Sequence, residues 1–465
     1  MRGLGLNRSL SGRAVLYTVG QLSINFLSVI SAPIFVRLMT TAEYGMAAVY
    51  FTWVTILANI VALRADASIQ NAWAEFGERR LPAYVSSVSF LAFCFFVLVF
   101  VVCLLAKDQL AGVMSMQPVI VLLCVVTSFF IACSNIRMCY LNVTKNATGN
   151  MLISLVLAVS QVVCSIVLLV SICDDGYVAR IAGYSIPSII LGFCFLLFFW
   201  IKGKLFFNRD YWKFCLTLSL PLIFNGIAYM LINQCDRLMI NSMIGPDAAG
   251  IYSFAHSCAL PASVVCSAMN SAWTPEYFEL MKTGDTVSLQ SKAHRYMTNI
   301  TLVTMAIMLV SPEILIVLGT ESYYPGISML PLVVMAYYFQ YLYTWPVNCE
   351  FFYKKTKLMT AATLAATGAN IALNLWMTPK WGIVGSAAAS LMAFALLFVF
   401  HDMIARFKTP NYMFSWGWYL RGIVPVVIVL VVSYLLISMP VARWVIACVV
   451  CVFLVKRIVK NKSIF

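Results

Sequence analysis

Apolar residues run along this chain in stretches of about twenty, separated by short polar breaks. A helix rising 1.5 Å per residue needs about 20 such residues to cross a hydrocarbon core roughly 30 Å thick. Fourteen segments meet that length, at approximately 14–36, 44–63, 83–105, 119–138, 151–172, 181–201, 216–242, 248–273, 296–318, 327–349, 358–377, 382–404, 418–438 and 441–457. The runs are continuous rather than alternating, which excludes a membrane β-barrel. The first run, Ala14 to Val36, is too long for a signal peptide, and no small-residue cleavage site follows it. The pattern predicts an all-α integral membrane protein of about 14 transmembrane helices.

Composition agrees. Of 465 residues, 62% are hydrophobic and 10% are charged, whereas a soluble domain carries about a quarter charged. Most of the 15 cysteines lie inside apolar runs, where cysteine behaves as a small apolar residue. No cysteine–histidine cluster reads as a metal site, no GxxxxGK[ST] phosphate loop is present, and no nucleophile–base constellation is visible. Neither a cofactor nor enzymatic catalysis is expected.

The net charge of +14 becomes informative once it is mapped onto the breaks. With the N-terminus inside, 25 of the 31 Lys+Arg fall on the inner side, in clusters such as Arg64, Arg79 and Arg80, or Lys354, Lys355 and Lys357. Arg37, Lys107, Arg180, Arg237, Lys380 and Arg443 remain outside. The acids divide evenly, so the inner face nets +16 and the outer −2. Basic loops stay cytoplasmic, so both termini are predicted inside. An inner surface facing anionic membrane lipids accounts for the charge, and nucleic acid is not needed as a partner.

Two turns repeat. Thr41-Ala-Glu-Tyr-Gly45 is echoed by Pro246-Asp-Ala-Ala-Gly250, a shift of 205 between the glycines. Gly176 and Gly382 open similar turns at a shift of 206. The spacing predicts two six-helix lobes, 1–212 and 213–408, and two additional helices in 409–465. An even number of crossings gives the lobes one orientation, related by an axis along the membrane normal. Parallel repeats of this kind build transporters whose lobes rock around a central site.

The motifs carry a family resemblance. Leu218-Ser-Leu-Pro-Leu222, Asp236-Arg237-Leu-Met-Ile240, Gly245, Gly250-Ile-Tyr252 and Pro275 resemble the second half of Wzx-type polysaccharide flippases. These belong to the multidrug/oligosaccharidyl-lipid/polysaccharide exporter superfamily. Arg37-Leu38 with Glu43-Tyr-Gly45, and Tyr353-Lys-Lys-Thr356 before Asn370, Asn374, Pro379, Gly382 and Gly385, are similar to further parts of that family. The resemblance spans nearly the whole chain. It implies translocation of an undecaprenyl-pyrophosphate-linked oligosaccharide across a bacterial plasma membrane, for O-antigen, capsule or exopolysaccharide synthesis. The implied partners are the lipid-linked oligosaccharide, membrane lipids and a polysaccharide polymerase complex. The alternative within the superfamily is a cation-coupled multidrug antiporter. A flippase for a peptidoglycan precursor is a closer relative of the leading reading, and a glycosyl polymerase or ligase would need a long outer loop that is absent.

Polar residues inside the spans are the candidate site. A charge at the bilayer centre costs roughly 2.5–3.5 kcal/mol on insertion scales, so one that is retained points to function. Asp236 and Arg237 lie about 29 Å along their span when counted from Thr217. Asn225, Tyr229, Asn233 and Asp236, spaced 4, 4 and 3, form one helical face. On this reading Arg237 meets an anionic substrate, and Asp236 positions it or binds a coupling cation. An ion pair that merely clamps helices is the alternative. Gln21, Asn25 and Ser28 repeat the stripe in the first span, with Arg37 at its outer end. Snorkelling to headgroups is the ordinary role for Arg37, and a lumenal one the alternative. His256 can carry a proton or simply pack through a hydrogen bond. Arg64, Arg137 and Arg180 sit at span ends, where an arginine is commonly an anchor. The aromatics from Tyr337 to Trp345 suit either sugar stacking or packing.

Overall fold

A computed structural model describes residue 27 and residues 29–171, 175–410 and 412–461. No strand occurs among the described residues. The helices are α1 (Val29–Leu38), α2 (Thr41–Val61), α3 (Ile69–Leu105), α4 (Lys107–Met114), α5 (Pro118–Val143), α6 (Ala147–Ser171), α7 (Gly176–Gly203) and α8 (Arg209–Met243). They continue as α9 (Pro246–Thr283), α10 (Thr286–Leu318), α11 (Leu330–Leu342), α12 (Thr344–Phe352), α13 (Thr356–Lys408), α14 (Trp416–Leu435) and α15 (Pro440–Asn461).

Among the described residues, ten helices are long and apolar enough to cross a membrane. Thirteen of the fourteen expected segments map onto the helices, two of these matches with a local adjustment. Segment 327–349 is divided between α11 and α12, which meet at Tyr343. Segment 441–457 is α15. Segments 358–377 and 382–404 both fall in α13, a run of 53 residues. Most of the first segment lies outside the described residues, and α1 is its end. The chain is a multi-pass helical membrane protein.

The run called α13 is a helical hairpin, and one bond establishes it. Ser386 Oγ donates to Asn374 Oδ1 at 2.6 Å. In a straight helix, residues twelve apart are about 18 Å apart. The reversal occurs at Gly382, with φ 59° and ψ −140°, a backbone state that residues with a Cβ avoid. Gly385, just beyond, faces Met377 so closely that a Cβ there would meet the Met377 carbonyl. α3 breaks in the same manner at Gly77, φ 75° and ψ 170°.

The repeated turn motif explains how α2 starts. Thr40 is its N-cap and accepts from the Glu43 amide at 3.3 Å, while Glu43 Oε2 accepts from the Thr40 amide at 2.8 Å. This is a reciprocal capping box. The other carboxylate oxygen, Oε1, accepts from the Gly176 amide at 2.9 Å, so one acid serves the N-termini of both α2 and α7. α7 then packs through small residues. A Cβ on Gly183 would collide with the backbone of Ser165 on α6, and one on Gly192 with the Phe130 carbonyl on α5. Close backbone approach of this kind holds helices together where lipid removes the hydrophobic drive.

The chain divides into two compact units, Met1–Gln234 and Cys235–Phe465. In the first, Phe96 and Phe129 stack at 4.3 Å within a core that includes Val61 and Leu196. In the second, Trp273 and Trp345 lie 4.6 Å apart, both fully buried. There the last helix is fastened by Arg443, which is 2% exposed. Its guanidinium pairs with Glu313 on α10 and donates to the Leu309 and Leu436 carbonyls at 3.2 and 3.1 Å. Cys448 and Cys451 on α15 have the two-residue spacing of a C-x-x-C pair, but both are free and exposed.

Candidate functional site

Within the C-terminal unit, polar side chains gather around Asp236. A buried carboxylate must have its lone pairs met by donors, because no water is at hand to meet them. Asp236 is 4% exposed. It accepts from Tyr252 Oη on α9 at 2.8 Å, from Asn374 Nδ2 on α13 at 2.9 Å, and from Ser390 Oγ on the return limb of α13. Cys235 Sγ adds a weak contact at 3.9 Å. Asn374 is itself held, its Oδ1 accepting from Thr378 Oγ1 at 3.1 Å and Ser386 Oγ at 2.6 Å. One turn before it, Asn370 Oδ1 accepts from Cys235 Sγ at 3.0 Å, while its Nδ2 is buried without a partner. The result is a carboxylate dressed by hydroxyls and amides, with no cation within ion-pair distance among the described residues.

Arg237 takes a different direction. Adjacent helical residues point about 100° apart, and here that rotation separates the two charges. Arg237 Nη2 lies 3.3 Å from His256 Nδ1 on α9. An arginine only donates, so this bond requires a lone pair on Nδ1 and therefore a neutral imidazole. Tyr337 Oη closes on the same ring, 3.2 Å from Nδ1. His256 is thus held between a guanidinium and a phenol, with Tyr252 6.0 Å away, ring centre to ring centre. The alternative reading, an ion pair clamping helices, finds no Asp236–Arg237 pair within ion-pair distance. Each charge belongs to its own network.

The remaining sequence candidates are scattered. Asn233 Nδ2 donates to the Tyr229 carbonyl one turn back on α8, at 2.7 Å. Asn225 lies on α8, but its side chain falls outside the described residues. So do Gln21, Asn25 and Ser28. Arg37 is exposed, and its Nη1 donates to the Pro33 carbonyl of its own helix at 2.9 Å. Tyr338, Tyr341 and Trp345 are buried in packing, with Tyr338 Oη 2.9 Å from Thr301 Oγ1.

Sequence reasoning missed Tyr252 and Ser390 as partners of Asp236, and it missed a second buried cluster altogether. His401 Nδ1 on α13 lies 2.9 Å from Glu350 Oε2 on α12, and both are at most 1% exposed. Beside them Asp402 pairs with Arg406 at 2.5 Å and accepts from Tyr412 Oη at 3.0 Å. A signal for the first group was present: Asn370, Asn374 and Thr378, then Ser386 and Ser390, recur every four residues within apolar runs. Glu350, His401 and Asp402 fall at run ends, where charge is unremarkable.

Known proteins share this sequence pattern and this architecture. The sequence model of a family described as polysaccharide biosynthesis protein matches residues 12–281. The Lsg locus putative protein 1 of Haemophilus influenzae is 23% identical over 394 residues, covering 80% of this chain and 94% of that protein. Among solved structures, the lipid II flippase MurJ in an inward closed conformation superposes with a TM-score of 0.75 at 13% identity, over 96% of this chain and 99% of that one. The MATE multidrug transporter DinF-BH superposes with a TM-score of 0.60 at 15% identity, over 87% of this chain and 97% of its own. The chain shares its fold with both.

Proposed function

We propose that this chain, which belongs to the polysaccharide biosynthesis protein family, is a flippase that carries lipid-linked oligosaccharide units across a bacterial plasma membrane. The substrate class is an undecaprenyl-pyrophosphate-linked repeat unit destined for O-antigen, capsule or exopolysaccharide. It works by alternating access of two six-helix lobes, 1–212 and 213–408, with helices 409–465 added, and both termini are cytoplasmic. A polymerase complex receives the unit on the outer side. The chain performs no bond chemistry of its own.

The observation that supports this reading is a guanidinium and a carboxylate retained side by side on a membrane-crossing helix in a chain of this family. Arg237 is not consumed by an ion pair among the described residues, and it donates to a neutral imidazole. A guanidinium in that state offers further N–H donors to a diphosphate or an acidic sugar through charge-assisted bonds. The amides and hydroxyls around Asp236 suit a coupling cation or a sugar rim. Deleting the gene should leave lipid-linked repeat units on the inner leaflet and abolish surface polysaccharide.

One observation favours a second reading. Among the described residues Asp236 has no cation within ion-pair distance, which suits the free carboxylate that a cation-coupled drug antiporter needs. If surface glycan persists in the deletion strain while dye efflux falls, the antiporter reading replaces the flippase.

A further inference from the structure

Two cations in the N-terminal unit share one aromatic seat and, among the described residues, have no acid within ion-pair distance. Arg137 lies in the last two turns of α5, and Lys202 in the last turn of α7. The Arg137 guanidinium carbon is 4.2 Å from the centre of the Phe198 ring and 5.6 Å from that of Tyr140. The Lys202 ammonium is 5.4 Å from Phe198 and 5.3 Å from Tyr140, and it donates to Tyr140 Oη at 3.1 Å. Through Phe198 the two charges are no more than about 10 Å apart, roughly one Debye length in dilute salt. Like charges at that range repel, and lipid screens them less than water does.

Neither cation is paired with an acid among the described residues. Arg137 Nε and Nη1 are shielded from solvent and make no hydrogen bond. Cation–π contact offsets part of the charge but satisfies no N–H in the guanidinium plane.

The surroundings indicate what completes the site. Phe198 itself is 36% exposed. From it an exposed apolar stripe runs back along α7 through Leu197, Phe193 and Ile190, at near-helical spacing. Such a stripe is the surface that acyl chains cover, and the two cations stand at its end. Basic pockets between helix ends, above an apolar wall, bind the phosphate of lipid headgroups.

We propose that Arg137 and Lys202 form a binding site for the phosphate group of a membrane lipid, whose acyl chain lies along the exposed face of α7. The shared chemistry admits two sources, an anionic phospholipid or the diphosphate of a polyprenyl lipid. The site uses neither Asp236 nor Arg237, and the proposal stands whether or not the flippase reading holds.

The test is native mass spectrometry of the purified full chain in detergent, with phosphatidylglycerol, phosphatidylcholine or undecaprenyl diphosphate added separately. The variants are Lys202→Gln, Arg137→Gln with Lys202→Gln, and the charge-keeping Arg137→Lys with Lys202→Arg. Selective retention of phosphatidylglycerol over phosphatidylcholine, weakened about twenty-five-fold in the double Gln variant at roughly fivefold per cation, supports the phospholipid source. The same dependence for undecaprenyl diphosphate supports the polyprenyl source. The charge-keeping variant should retain the lipid in either case. Lys202 is exposed, so Lys202→Gln reads out the site even if the double variant fails to fold. Equal lipid retention by the wild type and Lys202→Gln, with no preference for either anionic lipid, overturns the proposal.

Discussion

Asp236 and Arg237 are consecutive residues of α8, yet they do not pair. The carboxylate is taken by Tyr252, Asn374 and Ser390, and the guanidinium by His256. Substituting one therefore does not strand the other, and the two can be examined separately.

For Asp236, an amide keeps the shape and removes the charge. Asp236→Asn should fold, with a loss of about 1–3 kcal/mol as one charged acceptor becomes an amide N–H and the Tyr252 and Ser390 hydroxyls turn to accept from it, while glycan export falls sharply. Asp236→Ala leaves the Tyr252, Asn374 and Ser390 donors unmet and should lower the thermal midpoint further. Surface polysaccharide and thermal unfolding in detergent are the two measurements.

For Arg237, Lys keeps the charge but loses the planar fork. Arg237→Lys should keep partial export, and Arg237→Ala should lose most of it at normal protein level. Because neither charge is the other's hydrogen-bond partner, Asp236→Asn combined with Arg237→Gln should show no rescue, while its losses should depart from additivity, as those of adjacent charges do. Restored folding and export in the double variant would mean a clamp after all.

Two glycines make contrasting predictions. At Gly183 an added Cβ meets the Ser165 backbone, which cannot yield without parting α6 from α7. Gly183→Ala should cost roughly 1–3 kcal/mol or more and reduce protein level. At Gly226 the Cβ meets the tip of Arg64, whose Nη1 otherwise bonds Asn59 Oδ1 at 2.6 Å. Gly226→Ala should fold with a nearly unchanged thermal midpoint while displacing Arg64. A large loss of stability there would show that the guanidinium has nowhere to go.

The last hairpin depends on one arginine. Arg443→Ala removes the partner of Glu313 and the donor to the Leu309, Leu436 and Ile437 carbonyls, and breaking such a buried pair costs about 3–5 kcal/mol. Glu313→Gln retains an acceptor and should cost less. Limited proteolysis of the C-terminal helices distinguishes the two variants.

Orientation has its own check. Reporter tags at residue 70, residue 285 and the C-terminus should be cytoplasmic, and tags near residues 110 and 322 external. An external C-terminus would overturn the fourteen-segment topology.

The helices were legible because lipid demands long apolar runs, and nothing else in the chain imitates them. The α13 reversal was legible too, since Pro379 and Gly382 interrupt the run where the chain turns. Asp236 and Arg237 stood out as charges within an apolar span. Their partners did not. Tyr252 is 16 residues from Asp236, Asn374 is 138 and Ser390 is 154, and composition carries no trace of such distances. The direction of each side chain was equally hidden, because a step of about 100° decides it and neighbouring packing sets the phase. Glu350 and His401 escaped notice because each stands at the edge of its run, where a charge usually meets water.

The hydrogen bonds at Asp236 also set a mechanical constraint. One carboxylate ties α9 and both limbs of the α13 hairpin to the end of α8. Sliding any one of these segments past the others breaks bonds that no solvent replaces. These bonds therefore resist shear in this corner of the C-terminal unit. A single side chain works as a latch: removing it, as in Asp236→Ala, should free three helical segments at once. Backbone amides near residues 236, 252, 374 and 390 should then lose their exchange protection together, at one rate.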